Sequence, residues 1–208
     1  MTPIRVSFPA VSATAVCASQ TTAGSGALSL NGGLLNVQTG AVILGTGIQR
    51  VVSITSTGNL SAINFTITGT DATGAVVTET RVGPNNTTVS TTAEYMTVTS
   101  VSVDAAVGTA VTLGSGSTGK TKWMPMNHLI TPFNVGVGVV VTATANVTVQ
   151  HTFDAPSSSA TAFSHSSLAA ITASADGNYS APVQAIRCVM NSSSGSGAFV
   201  FSVIQAGI

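Results

Sequence analysis

The stretch with the most explicit chemical signature is Gly114-Ser115-Gly116-Ser117-Thr118-Gly119-Lys120-Thr121, which satisfies the phosphate-cradling pattern GxxxxGK[ST] at every position. That chemistry needs a helix directly after the loop, so that its first backbone amides point at the phosphates. The residues that follow, Trp123-Met124-Pro125-Met126 with Pro132 beyond, forbid a regular helix. No later apolar strand ends in an aspartate placed to hold magnesium. In a chain so rich in Gly, Ser and Thr a chance match is cheap, and the segment is expected to be a linker.

The other groups able to do chemistry are scattered. His128, His151 and His165 lack the short spacing of a zinc site. His151 falls on the apolar face of a strand, which favours a hydrogen-bonded core histidine, with Asp154 nearby to accept its proton. Asp71, Glu79, Glu94, Asp104, Asp154 and Asp176 are single carboxylates, and Asp71 and Asp176 read as turn residues. Serines abound, but no GxSxG elbow presents one as a nucleophile. The sequence therefore predicts no catalytic residue, no cofactor site and no metal site.

Composition narrows the classes further. Six Lys or Arg balance six Asp or Glu, and charged residues make up 6% of the 208, against about 25% in an ordinary globular chain. Arg5, Arg50, Arg81, Lys120, Lys122 and Arg187 are too dispersed for a basic patch, so nucleic acid is not an expected partner. No apolar run reaches the roughly 20 residues of a membrane helix. The start, MTPIRVSFPA, lacks the pattern of a secretory signal, so Cys17 and Cys188 are expected to be reduced. The surface is expected to be Ser, Thr, Asn and Gly over a thin core of Val and Ala, a combination suited to permanent contact with other subunits.

The elements that must carry these groups read as strands throughout. Val135 to Asp154, VGVGVVVTATANVTVQHTFD, predicts a β-hairpin: Val135, Val137, Val139 and Val141 alternate with Gly136 and Gly138, and Val147, Val149, His151 and Phe153 share the apolar face of the second arm. Further strands are expected at 41–44, 49–56, 61–68, 75–82, 96–104 and 109–113, spaced as in a sandwich or barrel. The clearest hairpin of the first half sets Ile63, Phe65 and Ile67 on one face, with its turn at Gly69 to Gly74. Residues 83–92, GPNNTTVSTT, read as turn-rich, Asp176-Gly177 as a turn, and Ser166 to Ala170 as a single helical turn. The chain is expected to be all-β, two antiparallel β-sandwich domains (jelly-roll or Ig-like) in tandem, 1–118 and 119–208.

The phrases VVSITSTGNLSAINFTITGTDATGAVVTET, VTVQHTFDAP, ADGNYSAPVQAIRCV and FVFSVIQAGI together resemble a family of small β-rich structural proteins of tailed-bacteriophage virions. The resemblance covers most of the chain and rests on strands and turns, with no functional motif. It implies a virion component assembled in the host bacterial cytoplasm. The expected role is a capsid decoration (cement) protein, trimeric, bound on the capsid exterior across joints between major capsid subunits. A tail or head-to-tail adaptor component is the alternative. From a different class, a carbohydrate-binding or adhesive module would have only Trp123, Tyr95 and Tyr179 as Trp or Tyr for stacking on sugars, and an enzyme would have to depend on His151.

Overall fold

A computed structural model describes residues 3–206, and in it the chain is all-β, built from antiparallel sheets, with no helix among the described residues. It divides into two compact units, one of Val11–Gly119 and the other of Met1–Ala10 with Lys120–Ile208. In chain order the strands begin with β1 (Ile4–Phe8), followed by β2 (Ser12–Gln20), β3 (Gly26–Ala27), β4 (Leu35–Asn36), β5 (Ala41–Ile43) and β6 (Ile48–Asn59). Next come β7 (Asn64–Thr70), β8 (Val76–Val82), β9 (Asn85–Tyr95), β10 (Thr97–Val103) and β11 (Val111–Thr121). The rest are β12 (Met124–Pro125), β13 (Val135–Thr142), β14 (Ala145–Thr152), β15 (Phe163–Ser164), β16 (Ala175–Tyr179), β17 (Ala185–Ser193) and β18 (Ala198–Gln205).

In the unit Val11–Gly119 one sheet runs β4-β5-β10-β7-β8, with β3 on β10. Alongside it β6 pairs with β9, and β11 with β2. One apolar cluster draws on both groups of strands: Phe65, Ile67, Val98 and Val101 from the first, Val16, Ile54, Tyr95 and Leu113 from the second. The expected β7–β8 hairpin forms, with Phe65 opposite Arg81 and Thr70 opposite Val76, so that Gly69, expected in the turn, pairs within the strands opposite Val77. Asp71 closes its turn by accepting hydrogen bonds from the Thr73 and Ala75 amides at 2.8 and 3.0 Å, as an Asx turn does.

In the other unit β1, β18, β13 and β16 form a four-stranded sheet, while β14 lies between β15 and β17. β1 pairs with β18, placing Phe8 opposite Phe199 with their rings stacked at 5.1 Å; such a pair contributes about 0.5–1.5 kcal/mol beyond the area it buries. The ten N-terminal residues therefore belong with the C-terminal unit, a departure from a simple 1–118 and 119–208 tandem.

The hairpin expected over 135–154 does not form. β13 bonds to β16 and β18, whereas β14 bonds to β15 and β17, so the Ala143-Thr144 connection is an arch between two sheets. A two-residue hairpin loop wants Asn or Gly at positive φ; here Ala143 takes φ 52° and a β-branched Thr follows it. The β17-to-β18 connection is a second arch, and the Ser194 amide donates to the Thr144 carbonyl at 3.0 Å, tying the two together. The alternation holds for Val135, Val137 and Val139 of β13, but in β14 Thr148 and Thr152 are buried along with Val147 and Val149, and Phe153 is exposed.

Four other expectations change. Residues 114–119 are no linker but the interior of β11, mostly buried. Residues 83–92, expected to be turn-rich, fall for the most part in the long strand β9, and Asp176-Gly177 lies within β16, opposite Gly138 and Val137. Ser166 to Ala170 form a turn, with the Leu168 amide on the His165 carbonyl, and no helix.

Candidate functional site

The phosphate-loop pattern is accounted for by strand packing. A Cβ at Gly114 would lie 2.3 Å from the Ser12 carbonyl oxygen, at Gly116 2.3 Å from Val51 Cγ2, and at Gly119 2.3 Å from the Gln49 carbonyl oxygen. These glycines let β2 and β6 close on β11, the close backbone approach that glycine in a strand permits. The Gly116 carbonyl, which would face a solvated loop in a nucleotide site, accepts from Nε (3.1 Å) and Nη2 of the fully buried Arg50. Burial lowers the Arg50 pKa to about 10.

The carboxylates hold neighbouring backbone amides or amide side chains. Glu79 accepts from the Thr92 and Ala93 amides, Glu94 from Gln49 Nε2 at 2.8 Å, and Asp104 from both the amide and the side chain of Asn64. Asp154 accepts from the Thr161 amide at 2.7 Å, away from the His151 partnership expected of it. Among the described residues no group of three His, Cys, Asp or Glu is placed to hold a metal ion.

What the tertiary structure does bring together is His151, His165 and Tyr179. Antiparallel pairing of β14 with β15 sets His151 opposite Phe163, and two residues on, the His165 amide donates to the Val149 carbonyl. Both imidazoles meet the Tyr179 ring edge-on, with centroids 5.1 Å (His151) and 4.8 Å (His165) away. Gly177 makes room for this: a Cβ there would lie 3.1 Å from His165 Cε1. The fourteen-residue spacing of the two histidines gave no signal in sequence, because only the sheet register makes them neighbours.

His165 is buried and internally satisfied. Its Nε2 hydrogen bonds the Asn178 carbonyl at 3.2 Å and its Nδ1 accepts from the Ser167 amide at 3.3 Å, an assignment that makes Nε2 the protonated nitrogen. Ser167 Oγ stands 3.2 Å from the same Nδ1. A serine with a histidine suggests a nucleophile with its base, but here the imidazole is backed by a carbonyl rather than a carboxylate and the pair is a local turn two residues long. His151 differs. Its Nδ1 is buried without a hydrogen-bond partner, and so is the Tyr179 hydroxyl. Burial, followed by the neighbouring His165, lowers the His151 pKa, and burial raises that of Tyr179.

Outside this pair lie Phe153 and Phe163, 55% and 46% exposed. The three rings touch one another: His151 to Phe153 at 5.2 Å, His151 to Phe163 at 5.8 Å, and Phe153 to Phe163 at 5.7 Å. The period-two pattern placed Phe153 on the apolar face, but its exposure beyond the end of β14 was not legible there. The aromatic residues considered for sugar stacking are engaged elsewhere. Tyr95 and Tyr179 are buried. Trp123 carries the Arg187 guanidinium 4.1 Å from its ring centre and donates Nε1–H to the Ser157 carbonyl at 3.1 Å.

Compared with known proteins, the chain matches no family model, and no curated protein is significantly similar to it.

Proposed function

We propose that the chain is a structural protein of a tailed-bacteriophage virion, a decoration (cement) protein that binds the capsid exterior as a homotrimer and strengthens contacts between major capsid subunits. Each unit is read as a β-sandwich, its two groups of strands closing on one apolar core. The observation that carries the reading is the surface. Large apolar side chains stand exposed, Val37, Val76, Leu129, Phe153 and Phe163 among them, on a chain with very little charge to keep free copies apart.

Assembly resolves that combination, because each contact adds apolar burial. The carboxylates support the same reading by what they do: Glu79, Glu94, Asp104 and Asp154 hold neighbouring residues in place. The test is electron microscopy of virions decorated with antibody to this protein. Label in hundreds of copies at icosahedral positions is expected; a ring of few copies at the neck or tail would favour the adaptor reading, and absence from the particle would end both.

A further inference from the structure

We infer that Phe153 and Phe163 form the centre of the surface through which copies of this chain associate. The inference rests on the proposed function only for the expectation that copies do associate. Three observations in the unit that contains Lys120–Ile208 converge on it. Two phenylalanine rings are about half exposed, side by side and locked against His151. Rings already ordered lose little freedom on docking, the condition under which aromatic anchors contribute most.

His151 in turn packs edge-on against the buried Tyr179 ring, which anchors the two phenylalanines to the core. Around the rings, the segment from Ser157 to Thr161 is mostly exposed and built from Ser, Ala and Thr. An apolar centre with a small polar rim is the anatomy of a specific interface.

Charge selects the occupant. The one charged residue of the segment 151–164 is Asp154, already bonded to the Thr161 amide. A highly charged partner would find a single carboxylate to pair with across this segment and would bury its other ions at a desolvation cost. A second copy of this chain, with 6% charged residues in its sequence and no net charge, meets little of that cost.

Sedimentation velocity over a concentration series, with native mass spectrometry, tests the inference. The wild type should be oligomeric, and Phe153→Ser with Phe163→Ser should raise the dissociation constant at least roughly 30-fold, the loss expected of hot-spot truncation, with the far-ultraviolet circular dichroism of the fold retained. Val37→Ser with Val76→Ser, exposed apolar residues of the other unit, should leave the mass unchanged. An oligomer unmoved by the Phe double variant overturns this surface while leaving the oligomeric reading intact; a monomeric wild type overturns both. Should the double variant fail to fold, amide exchange in the wild type decides: residues 153–164 should lose protection on dilution, and exchange that ignores dilution refutes the inference.

Discussion

The imidazole of His151 stands edge-on to the ring of Tyr179, 5.1 Å between centroids, and neither His151 Nδ1 nor the Tyr179 hydroxyl has a hydrogen-bond partner. The arrangement admits a neutral histidine and penalises a charged one, and that sets a pH window.

An unfolded histidine takes up its proton near 6.5, whereas His151 in the fold does so only at lower pH. Between the two values the unfolded state binds more protons, so stability rises with pH there. It is complete above about 6.5 and declines as pH falls toward the folded value. Urea midpoints at pH 8 and pH 5 should therefore differ, and His151→Phe should reduce the difference. An unchanged slope in the variant would show that His151 is not the group responsible.

A separate loss is expected in stronger acid. Asp71 is slightly desolvated, which would raise its pKa, but hydrogen bonds from Thr73, Ala75 and Gly74 outweigh this and lower it. Its contribution is present above about 4 and disappears below that value. Asp71→Ala should flatten the stability profile below pH 4 and leave the His151 window untouched.

Gly119→Ala should be costly, since its Cβ would fall 2.3 Å from the Gln49 carbonyl oxygen and 2.7 Å from Arg50 Cβ. Overpacking of this kind costs about 1–3 kcal/mol. At roughly 2–4 °C per kcal/mol for a chain of this size, calorimetry should show a fall of several degrees. Gly24→Ala, where the added carbon meets nothing within 4 Å, serves as the neutral control. Equal melting of the two variants would contradict the packing role of Gly119.

Cys17 and Cys188 are both buried and free. Burial pushes the Cys17 thiol up to about 12 and raises that of Cys188 as well. Since the thiolate is the reactive form, neither should react with a disulfide reagent at pH 8 until denaturant is added, and both should then titrate. One fast-reacting thiol in the native protein would show that its strand opens readily.

Much of the inward-facing set was readable from alternation alone. Phe65 and Ile67, or Val137 and Val149, are buried as their period of two implies, because a side chain's face depends only on its parity along an extended backbone. The Asp71 turn was equally legible, since its hydrogen bonds close within five residues. Strand partners were not. The N–H and C=O groups of β13 bond to β16 and β18, residues far along the chain, and nothing in VGVGVVVT distinguishes those partners from an adjacent β14. Glycine was ambiguous for the same reason: Gly114 to Gly119 read as flexibility until β2 and β6 were seen to lie where side chains would have been. The aromatic patch belongs with these. Residue types told that His151, Phe153, Phe163 and Tyr179 exist; only the register of β14 with β15 and the placing of β16 made them neighbours, because sheet contacts are made through space between distant segments and local propensity carries no record of them.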